Sequence, residues 1–201
     1  MPSRFATAAS VAFGVLGFLL AAGSAAAQAG RPALPAHLTP VRDALDKYQD
    51  PVAAVRDGYF STLGCVDYPQ GGAEGMGVMP YKPGGMGVHF LNPALIGPQL
   101  DPLKPQILVY EPVGNRLQLV AAEWFVPTAV SREAPSIFGT KLDGPMEGHE
   151  PILPTNLHHW DLHVWLWKDN PSGLMHSTNP TVRCPDSPYT YHEEATKMVH
   201  P

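Results

Sequence analysis

The stretch Leu157-His158-His159-Trp160-Asp161-Leu162-His163-Val164-Trp165-Leu166-Trp167 gathers more chemically capable side chains than any other part of the sequence. In a β-strand alternate side chains face opposite ways. One face then carries Trp160, Leu162, Val164 and Leu166, a core face with His158 at its start. The other carries His159, Asp161, His163, Trp165 and Trp167, and a row of two imidazoles and a carboxylate suits metal ligation or proton transfer.

Spacing limits what this row can do. At about 3.3 Å per residue, Asp161 and His163 stand roughly 6.7 Å apart and can converge on one ion, whereas His159 and His163 stand roughly 13 Å apart and cannot from a straight strand. On a helix the two histidines would face together at i, i+4, as in the H-E-x-x-H zinc sites. Trp160 stands where that motif has its glutamate, and the aromatic content favours a strand.

A complete site needs ligands from elsewhere. His89 closes the run Gly85-Met86-Gly87-Val88-His89, Glu123 faces away from Trp124, and His149 lies in a long loop. The set His89, Glu123, His159, Asp161 and His163 would accept copper, zinc, manganese or iron, since imidazole suits most of these and carboxylate leans to the harder ones. Met76, Met79, Met86, Met146 and Met175, with His176, add thioethers that suit Cu(I), so copper and zinc lead. Structural roles are open to the same residues: His89 as a core histidine, Glu123 paired with Arg116 or Lys104, Asp161 orienting His163, and methionines filling core gaps.

Other chemistries find little support. There is no G-x-S-x-G elbow, and Ser131, Ser136 and Ser172 lack a signature. No G-x-G-x-x-G sits between a strand and a helix, so nucleotide binding is not expected. A pI near 5.9 and a formal charge of −5 leave no basic stripe for nucleic acid.

The elements that must position these residues read as mainly β. Thr39 with Pro40 predicts a helix start with a hydroxyl cap, and Val41, Leu45, Tyr48, Val52 and Val55 predict one apolar stripe through Arg56. Pro51 predicts a kink or two short helices, Asp50 capping the second and Gly58 ending it. Met86 to Leu91, Gln106 to Glu111, Arg116 to Val126 and Leu157 to Trp167 read as strands, and Val113-Gly114-Asn115 as a hairpin loop. The fold class is therefore α+β, an antiparallel sandwich or barrel-like sheet with an N-terminal helix or kinked helix pair. Gly75-Met76-Gly77-Val78-Met79 and Gly85-Met86-Gly87-Val88-His89 read as one turn motif used twice. Ser131 to Asn156 is longer than an ordinary loop, which points to a functional segment.

Residues 1–27 have the order of a secretory signal: Arg4, an apolar run from Val11 to Ala22 and Ala25-Ala26-Ala27 before Gln28. The run is too short to span a bilayer, which takes about 20 residues. Residues 28–38 read as a flexible leader and 39–201 as one domain, with no membrane span after cleavage and a periplasmic or extracellular destination. In an oxidising compartment the two cysteines, Cys65 and Cys184, read as one disulfide; neither has the C-x-x-C spacing of a metal site. With 44% hydrophobic residues, 15% charged and 23 prolines, the chain is neither a disordered polyelectrolyte nor a set of long charged helices.

Asp46-Lys47-Tyr48-Gln49-Asp50, Gly85-Met86-Gly87-Val88-His89-Phe90-Leu91-Asn92-Pro93, Leu108-Val109-Tyr110-Glu111-Pro112 and Asp161-Leu162-His163-Val164-Trp165-Leu166-Trp167-Lys168-Asp169-Asn170-Pro171 resemble motifs of a group of small secreted bacterial proteins. That resemblance implies a secreted single domain and no particular activity. A looser resemblance is to the cupins, β-barrels with three histidines and one glutamate on a metal, from which His159-Trp160-Asp161-Leu162-His163 departs by lacking their H-x-H followed by glutamate.

Three functions follow as expectations. The leading one is an exported metal-binding β protein using His163, Asp161 and His89, with His159 and Glu123 behind them. The second is a metal-dependent enzyme acting on a small molecule, with Trp165 and Trp167 as an apolar wall and His159 as general base. The third is a secreted interaction module in which the tryptophans form a binding patch.

Overall fold

Prolines punctuate the N-terminal helices as their chemistry requires. In the computed structural model, which describes residues 31–150 and 153–199, α1 spans Thr39–Leu45, a single 3-10 turn spans Asp46–Gln49 and α2 spans Pro51–Arg56. The break falls at Pro51, which has no N–H to give to a continuing helix. Asp50 caps α2 by accepting from the Val52 N–H at 2.9 Å. Thr39 does not cap α1: it is already helical, Leu38 holds the cap position and no side chain bonds there. The predicted stripe also stops at the break. Val41, Leu45 and Tyr48 are buried, but Val52 and Val55 point outward and Ala54 takes the core position, because the turn before Pro51 rotates the second helix about its axis. The stretch read as a leader contributes Leu38, which is fully buried, and Pro32, whose carbonyl accepts from Arg42 Nη1 at 3.1 Å. The secretory-signal reading of residues 1–27 lies outside the described residues.

Among the described residues nine strands follow: β1 Phe60–Tyr68, β2 Gly84–Leu91, β3 Ile107–Val113, β4 Arg116–Pro127, β5 Ser136–Ile137, β6 Thr140–Lys141, β7 Asp143–Met146, β8 His159–Val164 and β9 Thr190–His192. Seven of them form one curled sheet, a half-barrel ordered β7-β8-β4-β3-β2-β1-β9, and β5 with β6 forms a small hairpin. The mainly β, largely antiparallel expectation holds, the β1–β9 pair being parallel. Gly114 and Asn115 make the two-residue turn between β3 and β4, with Gly114 at φ +59°.

The sheet is buried on both faces. One face meets the helices through Leu45, Tyr48, Phe90, Tyr110, Trp124, Trp160 and Leu162. The other packs Tyr68, Met86, Val109, Phe125, Met146 and Trp165. Two-sided burial explains why β2 and β8 read as nearly continuous apolar runs interrupted only by the residues of the site. Trp165 and Trp167 do not share a face as a regular strand would require. β8 ends at Val164, so Trp165 joins the second core and Trp167 the first.

The repeated Gly-Met-Gly motif is used in two different ways. Gly75 and Gly77 stand at φ +79° and +73° with open space around them, as in a turn. The second copy instead lies inside β2, where Asp67 pairs with Gly85 and Val66 with Gly87, leaving Met86 as an extra, bulged residue. The bulge turns both Met86 and His89 to the second face although they are three residues apart. Gly87 is required for it: its φ is +98°, and a Cβ there would lie 2.6 Å from the Tyr110 carbonyl oxygen. Cys65 on β1 is bonded to Cys184 with a Cα–Cα distance of 5.5 Å across 119 residues of chain. No helix among the described residues is long and apolar enough to cross a membrane.

Candidate metal centre

Three strands contribute one side chain each to the centre of the second face. Glu123 on β4 is the direct cross-strand partner of His163 on β8. His89 on β2 reaches them across β3, whose Val109 pairs with His89 and whose Ile107 pairs with Glu123. One Glu123 oxygen, Oε2, stands 3.3 Å from His163 Nε2 and 3.4 Å from His89 Nε2. The three ligand atoms lie within 4.8 Å of one another, and all three residues are buried.

These contacts are too poorly aligned to be hydrogen bonds. Glu123 Oε2, both nitrogens of His163 and His89 Nδ1 have no hydrogen-bond partner among the described residues. Orphaned buried polar atoms are costly, at about 1–3 kcal/mol each for neutral groups. A tetrahedral ion with bonds of about 2.0–2.1 Å places neighbouring ligand atoms about 3.3–3.4 Å apart. The two imidazole–carboxylate separations match that edge, so the residues fit a transition-metal ion.

Burial shifts both Glu123 and His89 toward their neutral forms. Burial pushes Glu123 up to about 7, partly opposed by His163. Burial pushes His89 down to about 4, keeping its imidazole neutral and able to ligate at ordinary pH. His163 stacks on Trp165 with ring centroids 6.4 Å apart at 19°, and the Trp165 indole N–H donates to the His176 carbonyl at 2.6 Å, which fixes the ring against which His163 rests.

Asp161 and His159 face the same way but form a group of their own. His159 Nε2 stands 3.4 Å from Asp161 Oδ2, and neither Asp161 oxygen has a hydrogen-bond partner. Asp161 is therefore not among the three atoms that converge, although its spacing from His163 allowed it. Burial acts to raise Asp161, but the neighbouring His159, His163 and His149 outweigh it and hold the carboxyl below its usual range. His149 comes from the long segment before β8 and packs its ring 6.1 Å from that of His159 and 6.2 Å from that of Tyr68. Burial pushes His149 down to about 3.

The remaining candidates scatter. Lys104 pairs with Asp101, not Glu123. Met86 and Met146 are core residues and Met76 is exposed. Met79, Met175 and His176 line a cavity of about 400 Å³ together with Tyr81, Asp143 and Met198. None of His89, Glu123, His149, His159, Asp161 and His163 lines it, but its Asp143 on β7 is the register partner of Asp161. Burial and the charge of Asp161 push Asp143 up to about 6. Trp165 borders His163, but Trp167 faces the other core and donates to Asp46 Oδ1 at 2.7 Å, so the two do not form one wall. All four tryptophans are buried, with at most 6% of their surface exposed, which removes the exposed aromatic patch of the interaction-module reading.

No family model, curated protein or solved structure matches this chain.

Proposed function

We propose that the protein is an exported metal-binding β protein whose centre is His89, Glu123 and His163. One observation carries the reading: a single buried carboxylate oxygen stands at ligand–ligand distance from two imidazole nitrogens, with no other partner for it. Two imidazoles and one carboxylate suit zinc or copper, and the disulfide fits an oxidising compartment. The test is elemental analysis of the purified protein before and after His163→Ala and Glu123→Gln. The expected result is one ion per chain at this centre, lost in either variant; a metal content that neither substitution changes would sink the reading.

A metal-dependent enzyme acting on a small molecule is the second reading. It is favoured by the three-residue ligand set, since catalytic zinc centres keep a position open for water or substrate. The cavity of about 400 Å³ that reaches Asp143 supplies room for a small ligand near the polar face. A small anion that competes with metal-bound water and shifts a Co(II) spectrum of the loaded protein would support an open position. An unchanged spectrum with azide, cyanide and acetate would oppose it.

A further inference from the structure

Asp161 is 1% exposed, and neither of its oxygens has a hydrogen-bond partner. A carboxylate buried this deeply is unstable without a counter-charge and donors, because removing an ion from water costs several kcal/mol. Among the described residues, the ion-pair partner of Asp161 is His159 alone, and His159 Nε2 is itself without a hydrogen bond. Further along the same face, His149 Nδ1 is a fourth orphaned atom, on a residue that is 8% exposed.

This group resembles the first centre in one imidazole–carboxylate separation and one ring–ring distance, although its three ligand atoms do not all lie within 4.8 Å of one another and would have to close on an ion. There, a carboxylate oxygen lies 3.3–3.4 Å from imidazole nitrogens, and the two imidazole rings have centroids 5.8 Å apart. Here, a carboxylate oxygen lies 3.4 Å from an imidazole nitrogen, and the two imidazole rings have centroids 6.1 Å apart. Each group has one carboxylate and two histidines, and each lacks internal hydrogen bonds that would explain its burial. The strand spacing that keeps His159 off the ion held by His163 leaves it free for another.

We propose that His149, His159 and Asp161 form a second metal site, for a divalent first-row transition ion, beside the His89–Glu123–His163 centre. It shares a sheet face with the first centre but none of its ligands, so the two stand or fall separately. Asp143, across the β7–β8 register from Asp161, also lines the cavity formed by Met79, Met175 and His176. A ligand role for His159 also removes it as the general base, because its Nε2 lone pair is committed to the metal.

The purified protein, stripped with chelator, reloaded with excess Zn(II) and desalted, decides the matter by its zinc-to-protein ratio. Two ions per chain are expected, falling to one in His159→Ala and Asp161→Asn and to one in His163→Ala. His149→Leu, which alters only a loop position, should also give one, and it keeps the question decidable if Asp161→Asn fails to fold. A wild-type ratio of one that survives all three second-site substitutions but not His163→Ala overturns the second site and leaves the first. A ratio of one that survives His163→Ala and is lost in Asp161→Asn overturns the first and supports the second. No retained zinc in the wild type overturns both.

Discussion

Glu123 and His163 are direct partners across the β4–β8 register, and their side chains meet with Oε2 3.3 Å from Nε2 on a face where neither atom has another partner. The backbone ladder thus sets the separation of two side chains that could hold a metal, and a rigid element fixes it.

Metal removal should lower stability, because an ion that binds only the folded state stabilises it by mass action. At a free concentration of 100 times Kd the effect is about 2.7 kcal/mol, which for a domain of this size is a fall in Tm of roughly 5–10 °C on adding chelator. Differential scanning calorimetry of the loaded protein with and without EDTA measures it. His163→Ala should show little further loss on chelation.

Gly87→Ala should be destabilising and should weaken metal binding together. The backbone there has φ +98° and an added Cβ would lie 2.6 Å from the Tyr110 carbonyl oxygen, so the bulge must shift, at a cost of about 1–3 kcal/mol. His89 depends on that bulge for its facing. Urea denaturation and zinc affinity on the same variant check both, and Gly75→Ala, in open space on a turn, serves as the comparison for strain without a clash.

Reducing the Cys65–Cys184 bond, or replacing both residues by Ser, should cost roughly 4–5 kcal/mol, since the closed loop spans 119 residues. Urea midpoints with and without reductant report it. A loss below about 1 kcal/mol would show that the unfolded chain is not much constrained by the bond.

His149 should make the metal-free protein acid-labile. Its folded value near 3 lies below the ordinary 6.5, so the folded state keeps it neutral while the unfolded chain takes up a proton as the pH falls through 6.5. Its contribution therefore falls progressively from pH 6.5 toward 3, and is present in full above 6.5. At pH 5 the difference is roughly 2 kcal/mol. His149→Leu should lose about that much less stability than the wild type between pH 7 and pH 5, by urea denaturation in the presence of EDTA.

Much of the architecture is written in local sequence. Alternation and β-rich runs locate β2, β3, β4 and β8, and Gly114-Asn115 locates a turn, because these depend on side-chain period and on φ alone. β1 is harder to see, since Phe60–Tyr68 contains Gly64 and Asp67, and Leu63 sits exposed at φ +65°, so its apolar alternation is broken by the very irregularity that shapes it. The end of β8 at Val164 is likewise hidden, because nothing in Trp165-Leu166-Trp167 marks where pairing with β4 stops.

The sequence by itself determines which residues can ligate a metal and, once the segment is a strand, that His159, Asp161 and His163 share one face with His159 too far from His163 for one ion, because strand rise is a fixed length. Only the tertiary structure decides the partners. The β4–β8 register sets Glu123 against His163, the bulge at Gly87 turns His89 to the same face, and the long segment before β8 brings His149 to His159. Each of these is a pairing between residues distant in the chain, and such pairings are fixed by how the whole sheet buries its two faces, which no local pattern encodes.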